Sequence, residues 1–203
     1  MRKKADSIKR SGLWPVLVLS CGFFVGGFVG CLLGKATHGA AAEQIGTYLN
    51  DFISLVCSAS FNWSASEVFW LRGRWLLLGV LMGLTRLSGI LMPGLFALRG
   101  IMFGFCVACF VRFLPGAGLL SAGILFGIPL FLCLPGFFYM GWLGFLAALR
   151  SVRMEAGDFS LGPGSRRRFC FGLVWSAVLL LLCVCYECTL MPALLRVVLR
   201  ISL

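Results

Sequence analysis

Apolar residues run along this chain in long blocks, separated by short segments where arginine, lysine, glycine and proline gather. A helix needs about twenty apolar residues to cross the hydrocarbon core of a bilayer. On that measure the blocks at 13–33, 75–98, 99–113, 119–149 and 169–188 predict five spans. The second block contains Arg86 and breaks at Pro93-Gly94. The fourth, as one straight helix, would be about 45 Å long against a core of about 30 Å. Pro129 and Pro135-Gly136 predict its break, either as a kinked and tilted helix or as a re-entrant piece followed by a span. Residues 35–73 form the one sizeable external segment, where Glu43, Asp51 and Glu67 offset Lys35 and Arg72, with Arg74 just past its edge. Phe61, Trp63, Phe69 and Trp70 suit an interfacial aromatic belt there. The ending TLMPALLRVVLRISL, with Arg196 and Arg200 four apart, predicts a short amphipathic helix in the outer interface.

Composition agrees with a lipid solvent. Of 203 residues, 60% are hydrophobic and 12% charged, and the mean hydropathy is +0.99. The expected fold class is all-α: a polytopic helical membrane protein of five transmembrane helices in one domain, 1–203. The first block exceeds the apolar core of a signal peptide and reads as an uncleaved anchor. Basic residues crowd MRKKADSIKR and the loop at 150–168, so both segments belong in the cytoplasm. Four crossings lie between them, and a fifth puts the C-terminus outside.

The stretch CGFFVGGFVGCLLGK places Gly22, Gly26, Gly30 and Gly34 at unbroken four-residue spacing. Residues four apart share one helix face, so these glycines make a strip of bare backbone that another helix can approach closely. The expected occupant is internal, such as the second block with Gly79 and Gly83, or external, as a second copy or a partner's anchor. Gly172 lies off the strip.

No catalytic constellation is legible. Between Glu67 and Glu155 there is no Asp, Glu or His, so the middle spans lack the groups of a proton-coupled pump. His38 has no recognisable ligand set, and no phosphate loop or nucleophile elbow occurs. Cys106 and Cys109 read as small hydrophobes. Cys183, Cys185 and Cys188 lack the further ligands of a zinc site. No enzyme activity, cofactor or metal is therefore expected. Arg86 is the charge that needs a partner or a route to the interface, by snorkelling or by an interhelical contact. The net charge of +11 is spread over membrane flanks, which suits anionic lipid headgroups and argues against nucleic acid.

LRGIMFGF at Leu98–Phe105, containing Arg99, Gly100 and Gly104, and ECTLMPALL at Glu187–Leu195, containing Glu187 and Pro192, resemble the stage II sporulation protein M family. The basic N-terminus, glycine-rich first span, external segment and five-span plan are similar too. One departure is Pro129-Leu130-Phe131, where family members often carry a polar residue. The resemblance implies a non-enzymatic component of the engulfment complex in the cytoplasmic membrane of endospore-forming bacteria, at the sporulation septum. It also implies cell-wall hydrolase partners, a lytic transglycosylase and an amidase. The alternative is a membrane subunit of a transporter or channel, suggested by the broken fourth block.

Overall fold

The computed structural model describes residues 2–57, 64–83, 85, 88–114, 116–153 and 163–202. They form α1 (Arg2–Ala36), α2 (Ala40–Cys57), α3 (Ala65–Gly83), α4 (Ser88–Phe113) and α5 (Gly118–Ala122). A π-helical turn (Gly123–Gly127), α6 (Ile128–Arg153) and α7 (Pro163–Ser202) complete the chain. The protein is an all-α polytopic membrane protein. Among the described residues four helices are long and apolar enough to cross a bilayer: Trp14–Ala36, Ser88–Phe113, Gly118–Phe145 and Phe169–Arg200. Their exteriors carry bare apolar side chains, such as Phe24, Phe28, Ile90 and Phe131, as a lipid-facing surface should.

The count differs from the expected five because the second and third blocks divide elsewhere. Pro93-Gly94 does not break the chain; α4 runs through both. Pro93 stands in the second turn of that helix, so it deprives only the Gly89 carbonyl of a donor. The break falls instead between Gly83 and Ser88. There Thr85 Oγ1 donates to the Met82 carbonyl at 2.7 Å and the Ser88 amide donates to the Thr85 carbonyl at 3.2 Å. Polar side chains that bond their own backbone favour a turn over a continuing helix. The expected external segment is largely helical: α1 extends to Ala36, α2 occupies its middle, and Phe69 and Trp70 lie on α3. Phe61 and Trp63 lie outside the described residues, as do positions 154–162 of the expected basic loop; the loop's two ends are helical instead, since α6 runs to Arg153 and α7 starts at Pro163.

Paired positions give the helix directions. Gly22 faces Pro93, Gly26 faces Ala97, Gly30 faces Ile101 and Gly34 faces Ala108, so α1 and α4 run parallel. Arg112, at the end of α4, donates to the Thr37 carbonyl at 2.5 Å and so covers the C-terminus of α1, where a cation is favoured. Across the α6–α7 contact, Gly136 meets Ser176 and Ile124 meets Tyr186, so these two helices are antiparallel. α6 also opposes α4, with Phe96 against Phe137 and Phe110 against Phe126. α3 opposes α7: Arg72 pairs with Glu187, while Gly79, two turns on, faces Phe137 at the level where Ser176 meets Gly136. Five helices therefore alternate in direction along the chain: α1, α3, α4, α6, α7. One core cluster, around Leu19, Met92 and Phe96, lies toward the start of α4. The other, around Phe110, Leu125 and Leu195, lies where the amphipathic α2 packs Leu49 and Val56 on the bundle.

The fourth block is one helical path, without a re-entrant piece. Its irregularity lies at Gly123–Gly127, ahead of the prolines, and Pro129 explains it. In an α-helix the proline ring would clash with the Leu125 carbonyl four residues back. Widening into a π turn relieves that contact, and the Ile128 amide reaches back five residues to the Gly123 carbonyl. The Ile124 carbonyl is then left opposite Pro129, which has no N–H. Tyr186 supplies the missing donor: its hydroxyl donates to the Ile124 carbonyl at 3.1 Å. Tyr186→Phe should cost about 1 kcal/mol of stability, measured by reversible unfolding in detergent. An unchanged midpoint would show that the π turn needs no outside donor.

The chain end also departs from expectation. It is no separate interfacial helix, for α7 continues without a break through Pro192 to Ser202. Gly172, Ser176, Leu180, Glu187, Met191, Leu195 and Leu199 make one buried stripe at helical spacing along it. Arg196 Nε donates to the Val56 carbonyl at 3.3 Å, tying the far end of α7 to the end of α2.

Candidate functional site

The glycines come first, because they hold the scaffold of the site. The strip on α1 is occupied by α4, not by the segment containing Gly79 and Gly83. A β-carbon placed on Gly26 or Gly30 would overlap the carbonyl oxygens of Ala97 and Ile101. At Gly34 it would come within 2.7 Å of Ala108 Cβ. α4 answers with its own glycines: β-carbons at Gly100 and Gly104 would overlap the carbonyls of Phe23 and Gly27. Bare backbone thus faces bare backbone in a parallel pair, close enough for Cα–H···O contacts. Cys31 Sγ adds a weak donor to the Gly104 carbonyl at 3.4 Å.

This contact fixes the face that α4 turns away from α1, and Arg99 stands beside it. Its guanidinium lies 5.1 Å from the centre of the Trp75 ring and 5.9 Å from that of Phe137, one ring from α3 and one from α6. Such cation–π contacts gain strength where water is excluded. On α3, Arg72 Nη2 forms an ion pair with Glu187 Oε1 at 2.6 Å, while Arg72 Nε donates to the same oxygen at 2.7 Å. Two nitrogens of one guanidinium thus converge on one carboxylate oxygen. The pair is well covered, with side chains 20% and 6% exposed. Cys183, one turn before Glu187 on α7, directs its thiol at that carboxylate over 3.4 Å. Arg72, Arg99, Cys133 and Ser176 line a partly open cavity of about 30 Å³ among apolar neighbours. A second cavity of about 170 Å³ shares Arg72, Trp75, Arg99 and Leu130 with it and adds Arg74.

Of the residues singled out from sequence, Gly22, Gly26, Gly30, Gly34, Gly100 and Gly104 meet at one helix seam, and Arg99 and Glu187 belong to the interior polar cluster. Pro192 lies further along α7, apart from both. Arg86 falls between α3 and α4, outside the described residues. Arg72 is the residue that sequence reasoning missed, since it counts there as a surface charge of the external segment. The signal was the apolar VFWL before it, continuous with WLLLGVLMG after it. Cys183, Cys185 and Cys188 do not converge, for Cys183 is buried and Cys185 exposed.

Fold and site together define a class: a multi-pass α-helical membrane protein with an ion pair and a second arginine buried among its helices. Compared with known proteins, the chain matches no family model, no curated protein and no solved structure.

Proposed function

We propose that the chain is a non-enzymatic membrane scaffold, resembling the sporulation engulfment component that assembles with septal cell-wall hydrolases of the lytic transglycosylase and amidase types. The setting is the bacterial cytoplasmic membrane at the sporulation septum. The observation that carries this reading is the size of the interior space. The two cavities beside Arg99 hold about 30 Å³ and about 170 Å³, whereas pockets for small organic substrates span about 300–1,000 Å³. The interior is thus too small for an organic substrate, and partner proteins meet the outer faces. The N-terminus lies in the cytoplasm and α2, with the far end of α7, lies outside, where cell-wall enzymes work. The basic N-terminal segment, together with the alternating helix directions, supports that orientation.

Crosslinking in the native membrane followed by mass spectrometry tests the assignment. Cell-wall hydrolases crosslinked to the chain are the expected result. Recovery of an ATP-hydrolysing subunit instead would favour the second reading, a transporter or channel subunit, for which Arg99 is the supporting observation because buried membrane charges often mark ion paths. Purified alone, the protein should neither degrade peptidoglycan nor hydrolyse nucleotide. Robust turnover by the isolated chain would overturn the scaffold assignment.

A further inference from the structure

Charge does not balance around the second cavity. Arg72, Arg74 and Arg99 all line it, and Glu187 is the one carboxylate that an arginine of this group engages among the described residues. Arg72 uses that carboxylate. Among the described residues Arg99 has no hydrogen bond or ion pair, resting on ring faces within the longer-range field of the same Glu187, and Arg74 stands exposed with no hydrogen bond or ion pair.

Depth makes the surplus costly. Arg74 is at the middle of α3, which runs from Ala65 to Gly83, so about 14 Å of helix separates it from either end. Arg99 lies about 17 Å along α4 from Ser88. A guanidinium on a three-carbon stem cannot cover such distances by snorkelling alone. A cation kept in the hydrocarbon region normally pairs with something. The walls of the cavity, including Leu71, Met102, Phe103 and Phe126, are apolar and offer no counter-charge.

We propose that this cavity binds a phosphate-type oxyanion, either free or as the headgroup of an anionic phospholipid. Guanidinium forks match the oxygen spacing of phosphate and hold it by charge-assisted hydrogen bonds. Arg99 supplies the interior donor, held in place by the rings of Trp75 and Phe137. Arg74 supplies the outer donor, and Arg72 contributes its field while bonded to Glu187. The cavity's volume of about 170 Å³ accommodates one phosphate group. Its apolar walls suit the glycerol and first methylenes of a lipid entering from the side, its headgroup brought to this depth by local thinning of the bilayer around the arginines.

The test uses the full chain purified in a neutral detergent, with the thermal unfolding midpoint as readout. One arm titrates inorganic phosphate against chloride at constant ionic strength. The other titrates short-chain phosphatidylglycerol against phosphatidylcholine. Saturable stabilisation is expected in at least one arm. A response to inorganic phosphate identifies a free anion, and a response to phosphatidylglycerol alone identifies a lipid headgroup. Arg74→Gln, at an exposed position where folding is undisturbed, should weaken the response about tenfold or more, as loss of a charge-assisted bond implies. Arg99→Gln should do the same, and Arg200→Gln, exposed on α7, should not. Equal midpoints with phosphate and chloride, together with equal midpoints for the two lipids, would overturn the proposal. So would a response that Arg74→Gln leaves intact. A partner protein whose carboxylate crosslinks over Arg74, with no anion response in the purified chain, would contradict it as well.

Discussion

Gly26→Leu combined with Gly30→Leu should abolish the native pairing of α1 with α4, leaving a chain that inserts but unfolds at far lower temperature or denaturant than the parent. The cause is backbone geometry. Carbonyl oxygens of Ala97 and Ile101 occupy the places where the new β-carbons would go, and backbone cannot step aside as a side-chain tip can. Even Gly30→Ala should cost about 1–3 kcal/mol, the usual range for overpacking. Gly94 is the appropriate control, because it lies on α4 with open space where its β-carbon would project. There alanine should be neutral or stabilise by about 0.5–1 kcal/mol through helix propensity. Gly172 is no neutral position despite lying off the strip, since its β-carbon would press on the Tyr139 ring. Equal stability of the Gly30→Ala and Gly94→Ala proteins would mean that α1 and α4 are not in backbone contact.

The second large effect is expected at the ion pair that brings α3 into the bundle. Glu187→Ala leaves Arg72 charged and covered, and removing one partner of a buried pair typically costs about 3–5 kcal/mol. α3 carries Glu67, Arg72 and Arg74 and is not among the helices apolar enough to cross alone. Its place therefore depends on α7, which is made after it, so the same substitution should leave α3 accessible to protease in membranes. Arg72→Met together with Glu187→Leu should restore much of the loss, because apolar replacement of a whole buried pair is often neutral or stabilising. If the double variant is as unstable as the sum of its single variants, the two side chains act separately and the pair does not hold α3.

The contrast between the glycines and the arginines shows what a sequence of this kind reveals. Regular four-residue spacing is a property of one helix, so the strip on α1 could be read directly, whereas its occupant depends on how distant segments meet. Proline was a poor guide to breaks. Pro93 stands early in its helix where little is lost, and the effect of Pro129 appears upstream of it, in the turn that must widen around its ring. Arg72 was hidden for a different reason. A charge amid apolar residues looks like the edge of a span until its partner is known, and that partner lies 115 positions away on another helix. The tail was misjudged because Arg196 and Pro192 suggest a surface helix, while the buried stripe of α7 continues past both.

The most direct test concerns whether α3 crosses the membrane. Single cysteines would be introduced at Tyr48, exposed on α2, and at Thr85, exposed in the turn after α3, in a chain whose native cysteines are replaced by alanine. Each would be exposed in intact cells to a maleimide that cannot pass the membrane. Parallel α1 and α4 require an odd number of crossings between them, so Tyr48→Cys should label from outside and Thr85→Cys only after permeabilisation. Labelling of both positions from the same side would contradict the alternating five-helix arrangement.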